Sequence, residues 1–225
     1  DAERWPALVN ALMEGLAQNP DDFDLRMRVA RLRLYKLEDA AGALQVLEPI
    51  SERLSGSDDL EFLLRLQEKA GQPVAAAGTL ERIAELLAPA EAAQRQLKRS
   101  RLLEGAGDLP SALDALVKAL ELEPEMADAA AALTRVATSI SDWESAARGL
   151  TYSIRISQSS AESAAFLLDL ARLYEDALGT PALAGDAYEA ALEHQPEDVK
   201  IILRAAEFQM RTKNWRVAER LLRRA

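Results

Sequence analysis

The sequence contains no cysteine, a single histidine, His194, and few aromatic residues, which make up 5% of the chain. Without cysteine there are no disulfide bonds or thiolate metal sites, but the compartment stays open because cysteine-free proteins occur on both sides of membranes. No apolar stretch approaches the roughly 20 residues that cross a bilayer, so we expect no membrane insertion. No basic segment followed by an apolar run is visible at the start, and this missing export signal is the only ground for a cytoplasmic guess.

Groups suited to catalysis or metal binding are also scarce. His194 lies in a turn before Pro196, with no second histidine or cysteine to share catalytic work. The run Gly105-Ala106-Gly107 lacks the remaining residues of a phosphate-binding loop. The pairs Asp21-Asp22 and Asp58-Asp59 precede helices, where carboxylates cap free backbone N–H groups. We predict no catalytic residue, no metal site and no cofactor, and no enzymatic activity in these residues, although a catalytic domain elsewhere would leave no trace here.

The charge and the apolar pattern favour an all-α protein that does not bind nucleic acid. Acidic residues outnumber basic ones by 37 to 27, which gives a net charge of −10 and repels nucleic acid and anionic lipid. Hydrophobic residues make up 49% of the chain, enough for a sizeable core. Apolar residues recur three and four positions apart, as in Leu60, Leu63 and Leu64, which is the spacing of a helix face.

A small residue followed four positions later by a large one recurs along the whole chain. We call these small residues anchors. The series begins at Leu8, an imperfect anchor because leucine is large, and its members lie 35, 33, 36, 34, 38 and 34 residues apart. A small side chain lets two helices approach closely, and the large residue one turn later fills the adjoining seam. The anchors are Ala43, Ala76, Ala112, Ala146, Ala184 and Ala218, and the large residues are Leu12, Leu47, Leu80, Leu116, Leu150, Tyr188 and Leu222.

This period and its helix–turn–helix unit resemble the tetratricopeptide repeat (TPR) family. The closest motif runs over residues 167–174 and continues with Ala184, Tyr188, Ala191 and Pro196. The resemblance implies an all-α, right-handed α-solenoid of about six helix–turn–helix repeats plus an N-terminal half repeat, in which each helix pair is completed by its neighbours. The last unit stops inside its second helix, so we expect a fragment of a longer protein. We predict one solenoid domain over 1–225, with a half repeat near 5–18 and units near 22–54, 57–87, 91–122, 125–156, 161–194 and 198–225.

The turns between paired helices depart from the family pattern in several units. Gly71, Gly107 and Gly179 provide the usual turn glycine, whereas the last unit has Lys213-Asn214 instead. Two units also carry one extra residue before this turn, within 34–39 and 174–179.

The three tryptophans share one repeat position, three residues before an anchor. They are Trp5, Trp143 and Trp215. We expect each to be wedged between its own two helices, because large aromatic residues supply much of a repeat's burial. An aromatic binding box is the alternative, and the distance between the three repeats disfavours it.

Five consecutive first helices carry an arginine at one shared position, eleven or twelve residues before the anchor. The family resemblance places this position on the concave surface and so implies an arginine row suited to carboxylates. In the alternative interpretation, Glu68, Glu104 and Glu175 neutralise the arginines three residues before them. The candidate partner-binding residues are Arg31, Arg65, Arg101, Arg135 and Arg172, with the apolar residues Met27, Leu34, Leu97 and Met210.

The sequence therefore predicts a scaffold or adaptor that binds a segment of another protein, of acidic character, in the concave groove. The alternative is a structural subunit that stacks end to end in a larger assembly. RNA binding, known for a related repeat family, is disfavoured by the acidic balance and by the absence of base-reading residues. The identity of the partner and the oligomeric state do not follow from the sequence.

Overall fold

The computed structural model describes residues 4–225, and this part of the chain contains helices and no β-strand. The predicted all-α helical repeat fold is confirmed, since the helices follow one another as antiparallel pairs joined by short turns. None of the described helices is both long and apolar enough to cross a membrane. The helices are α1 (Arg4–Gln18), α2 (Phe23–Lys36), α3 (Ala40–Leu47), α4 (Ser57–Lys69), α5 (Pro73–Ala84), α6 (Pro89–Gly105), α7 (Leu109–Leu122), α8 (Ala127–Ser139), α9 (Trp143–Ile156), α10 (Ser160–Arg172), α11 (Pro181–His194), α12 (Val199–Arg211) and α13 (Trp215–Leu222).

These helices form two compact units, one up to Ala115 and one over Leu116–Ala225, called the N-terminal and C-terminal units below. In the N-terminal unit, one large apolar cluster extends from α2 to α5 and includes the fully buried Leu47, Leu63 and Leu80. In the C-terminal unit, α10 to α13 share a cluster around Tyr188 and Phe208, whose rings lie 5.1 Å apart. Burial of each such side chain stabilises its unit by about 1.5–3 kcal/mol.

The anchors lie where the paired helices touch. Their exposure is 0% at Ala43, Ala76, Ala112, Ala146 and Ala184, and 2% at Ala218. The large residues four positions later are equally buried in the middle of the chain, with Leu47 and Leu80 at 0% and Leu116 at 1%. Leu222 departs from this pattern because it is 45% exposed.

Each turn inside a helix pair has one residue in the left-handed backbone conformation, always five residues before the anchor. In three turns it is the glycine seen in the sequence, at Gly71, Gly107 and Gly179, with φ between 60° and 82°. In the other three it is Glu38 (54°), Ser141 (60°) or Lys213 (64°). The missing glycines therefore leave the turn geometry unchanged, although a Cβ in this conformation costs about 1–2 kcal/mol.

The extra residue of two units is absorbed at the end of the first helix. In the four other turns, the residue after the left-handed one donates its N–H to a carbonyl five residues earlier, as from Gln72 to Gln67 at 2.9 Å. With the extra residue, the bond reaches six residues back, from Asp39 to Arg33 (3.0 Å) and from Thr180 to Tyr174 (2.8 Å). In the second case α10 continues as a π-helical turn over Leu173–Ala177.

We expect Lys213→Gly to raise the free energy of unfolding by about 0.5–1 kcal/mol, because glycine adopts this backbone conformation without a Cβ clash. The matched control is Gly71→Ala, which introduces a Cβ at the equivalent turn position and should lower the same quantity by about 1 kcal/mol. Urea unfolding followed by circular dichroism measures both. A loss of stability in Lys213→Gly would contradict the assigned turn geometry.

The prediction for the tryptophans is confirmed in part and wrong for one of them. Trp5 and Trp143 are half-buried, as a packing role requires. Trp215 begins α13 and is 62% exposed, so it contributes little burial to its pair.

Candidate functional site

The first helix of the N-terminal unit's first complete pair, α2, is strongly basic within an acidic chain. It carries Arg26, Arg28, Arg31, Arg33 and Lys36 and a single acidic residue. Clustered positive charge of this kind raises the local potential and attracts anions.

Two of these arginines hold the fold together. Arg26 donates through Nε to the carbonyl of Pro20 (2.7 Å) and through Nη1 to the carbonyl of Val46 (2.8 Å). Arg33 donates to the carboxylate of Asp39 at 2.9 Å, across the turn between α2 and α3. These side chains satisfy backbone and capping groups, so they are not available to a partner.

The remaining basic residues of α2 surround an open depression of about 640 Å³. Arg28, Arg31 and Lys36 are exposed, and the ammonium of Lys36 lies 5.2 Å from the ring centroid of Trp5. Phe23, Met27, Leu32 and Tyr35 supply the apolar part of the lining, and Asp24 and Asp59 supply its acidic part.

Arg31 and Arg65 meet through two aromatic rings between α2 and α4. The Arg31 guanidinium lies 5.8 Å from the Phe62 ring centroid, and Arg65 donates a 2.7 Å hydrogen bond to the Tyr35 hydroxyl. The Tyr35 and Phe62 rings are 6.2 Å apart. Asp59 is 3.8 Å from Arg31, a distance at which an exposed ion pair contributes about 0–1 kcal/mol. Both arginines are thus held in place while their outer N–H groups face solvent.

The other arginines of the series lie on their helices as the spacing predicts, and all are exposed. Arg101 belongs to the N-terminal unit and Arg135 and Arg172 to the C-terminal unit. Arg101 and Arg135 both have interaction partners. Arg172 lies 3.8 Å from Asp169 on its own helix, so it is partly neutralised there.

Two of the three glutamates proposed to neutralise the arginine series pair with residues of other helices. Glu68 pairs with Lys98 of α6 at 2.5 Å, and Glu175 accepts from Arg211 of α12 at 2.6 Å. Both contacts join neighbouring helix pairs, so these two carboxylates also stabilise the stacking of one pair on the next.

Three of the four apolar candidates are core residues. Met27, Leu34 and Leu97 are 4% to 5% exposed. They offer little area to a partner, although Met27 still touches the floor of the depression. Met210 is 36% exposed on α12 and is the one apolar candidate that a partner could cover.

Sequence reasoning missed Arg28, Tyr35, Lys36 and Phe62, which surround or orient Arg31. The signal in the sequence is the local charge of α2, which a comparison of one position across repeats does not reveal. Among residues 4–225, no group of three or more His, Asp or Glu side chains is arranged to hold a metal ion. His194 ends α11 and is exposed.

Neither a protein-family model nor a curated protein sequence matches this chain. Similar solved structures include MamA 41-end from Desulfovibrio magneticus RS-1, which is 18% identical and has a TM-score of 0.40, with 75% of this chain and 93% of that chain covered. Another is the TPR2AB domain of yeast Sti1 in its pHSP90 complex, which is 18% identical with a TM-score of 0.37 and coverage of 89% and 88%. A third is the C-terminal part of a TPR repeat-containing protein from Cytophaga hutchinsonii, which is 14% identical with a TM-score of 0.43 and coverage of 88% and 77%.

Helix pairs with a period near 34 residues and buried alanine anchors give each unit a TPR-like structure.

Proposed function

We propose that this chain is a protein-binding scaffold whose N-terminal unit holds an extended acidic segment of a partner protein. The binding surface is the open face of α2 and α4, around Arg28, Arg31, Lys36 and Arg65. The observation that supports it most directly is the depression beside α2, where three exposed cations, with Asp24 and Asp59 beside them, surround an apolar floor in a chain of net charge −10.

The chemistry of this surface suits carboxylates. A guanidinium presents a planar fork that matches a carboxylate with two hydrogen bonds. Tyr35 orients the guanidinium of Arg65, and Phe62 orients that of Arg31. Less side-chain entropy is therefore lost when a carboxylate binds. An apolar side chain of the same segment would enter the depression between them.

A scaffold also agrees with how helical-repeat proteins expose their first helices. Stacked helix pairs present a broad row of side chains from successive first helices, and such surfaces bind other chains without any catalytic group. The residues that would carry this function are ordinary surface cations, so fold and surface chemistry, rather than a motif, define the site.

A fluorescein-labelled peptide of glutamates, leucines and helix-breaking prolines tests the proposal by anisotropy titration against the full chain. We expect binding that weakens as salt rises, because exposed charges are screened. Arg31→Glu combined with Arg65→Glu should weaken it by about tenfold or more. The control, Arg53→Glu combined with Arg220→Glu, changes the net charge equally at exposed positions elsewhere and should leave most of the affinity intact.

The proposal would be overturned by equal losses in the two double variants, because long-range charge alone would then explain the binding. A matched peptide with lysines in place of the glutamates should not bind. Tight binding of that peptide would also contradict the proposal that the surface prefers acidic segments.

End-to-end stacking is a second candidate function, and one feature of the C-terminal unit favours it. Large apolar side chains on α12 and α13 face solvent, and α13 also carries Arg216 and Arg220. The exposed residues are Val199, Leu203, Met210, Trp215 and Leu222, at 36% to 62%.

A further inference from the structure

The C-terminal unit has an open groove of about 490 Å³, lined by α9 and α11, which are the second helices of their pairs. One wall is a stripe of α9 that includes Ala147, Arg148, Tyr152 and Arg155. The opposite wall comes from the π-helical turn after α10 and from the first turns of α11. This groove belongs to a different unit and a different helix layer from the surface proposed above.

The π-helical turn forms part of the opposite wall. Tyr174 lies within this turn and Leu178 directly follows it, and both pack partly buried against a core cluster of Ala147, Leu150 and Leu170. The Thr180 N–H (2.8 Å) and its hydroxyl (3.3 Å) both donate to the Tyr174 carbonyl, which closes the turn. The one-residue insertion noticed in the sequence thus shapes the wall.

Hydrogen bonds to Glu175 also stabilise the π-helical turn. Glu175, next to Tyr174, accepts a two-pronged pair of bonds from Arg211, at 2.6 Å from Nε and 2.9 Å from Nη2. The Tyr188 hydroxyl donates to the same carboxylate at 3.2 Å. Burial, together with the negative charge of Glu175, raises the pKa of Tyr188 to about 12. A wall held in this way needs little reorganisation to receive a ligand.

The rim of the groove carries two arginines on one side. Arg148 and Arg155 are seven residues apart on α9, which is two helical turns or about 10.5 Å. The Arg155 guanidinium lies 5.7 Å from the Tyr152 ring centroid, and the Arg148 guanidinium lies 4.0 Å from the Glu121 carboxylate. Facing them, Leu183 is 45% exposed at the start of α11. The surface therefore combines an apolar channel with two cations that lie two helical turns apart and with one carboxylate, Glu144, at its end.

We propose that this groove binds an amphipathic acidic helix of a partner protein. The apolar stripe of that helix lies between Tyr152 and Leu183, and two of its carboxylates, two turns apart, meet Arg148 and Arg155. A helix fits because its side chains repeat at the spacing that α9 presents. Charge complementarity selects acidic helices, since carboxylates match the two guanidinium groups.

A phage-displayed library of helical peptides, about 16 residues long with randomised faces, tests this against the full chain. Each round is counter-selected on Leu183→Arg, which places a charge in the groove at an already exposed position. We expect the enriched peptides to combine an apolar stripe with Asp or Glu residues seven positions apart. In titrations of one enriched peptide, Leu183→Arg and the double variant Arg148→Glu with Arg155→Glu should each weaken binding by about tenfold or more.

Matched controls separate the groove from general effects. Leu86→Arg introduces the same charge at another exposed leucine, and Arg53→Glu with Arg220→Glu makes the same charge change elsewhere. Both should keep the affinity within about twofold. The proposal is overturned if no peptide is enriched, if the enriched peptides lack paired carboxylates, or if a proline placed mid-peptide leaves binding unchanged. The probes and variants differ from those of the proposed function, so either proposal can fail alone.

Discussion

Leu80→Ala is expected to lower the free energy of unfolding by about 2–5 kcal/mol. Leu80 stands four residues after the anchor Ala76, is 0% exposed, and belongs to the large cluster that joins α2 to α5. Removing three carbons there loses apolar burial and leaves a cavity that rigid neighbours such as Leu63 and Ile83 cannot fill. Urea unfolding followed by circular dichroism gives the change, and hydrogen exchange shows whether the protection of α4 and α5 falls with it.

Leu86→Ala is the control for this prediction. Leu86 follows the same helix but is 53% exposed, so its truncation should change the free energy of unfolding by less than about 0.5 kcal/mol. Similar small changes in both variants would mean that the position after the anchor does not fill a seam.

Gly149→Ala is expected to destabilise the C-terminal unit by about 1–3 kcal/mol, although alanine is normally the better helix former. Gly149 lies inside α9, where α8 approaches closely. A Cβ built on it would lie 2.8 Å from the backbone nitrogen of Thr134 and 3.1 Å from the carbonyl oxygen of Ala130. Because these are backbone atoms of α8, the two helices must move apart.

Gly78→Ala supplies the opposite case. Gly78 lies inside α5, and a Cβ there would meet no atom within 4 Å. Alanine should therefore raise the free energy of unfolding by about 0.5–1 kcal/mol, through its helix propensity alone. Chemical denaturation of both variants gives two changes of opposite sign, and a stabilised Gly149→Ala would contradict the close approach of α8 and α9.

The helix pairs and their contacts could be predicted from the sequence because their cause is local and repeated. A small residue and a bulky one, one helical turn apart, are visible at a fixed period, and Ala76 and Leu80 are buried as that pattern requires. The inserted residues were visible too. What the sequence did not show is that one of them becomes a π-helical turn at Tyr174, since the choice between turn and loop depends on tertiary partners such as Arg211.

The candidate site could be predicted only in part, for the same reason. The shared arginine position is a sequence pattern, but the partner of each arginine comes from a neighbouring helix pair. Arg65 binds the Tyr35 hydroxyl of α2, and Glu68 pairs with Lys98 of α6, contacts that spacing along one helix cannot reveal. The prediction that Trp215 is buried was wrong for a related reason. Trp215 shares a repeat position with Trp143, but that position does not supply the neighbours that would bury its side chain.

An NMR titration of the full, isotope-labelled chain with the extended acidic peptide tests the scaffold function most directly. We predict that the largest shift changes fall on the guanidinium and backbone signals of Arg28, Arg31 and Arg65, and that they disappear at high salt. Shift changes confined to helices outside α2 and α4, or spread evenly over all exposed cations, would contradict a binding surface at this place.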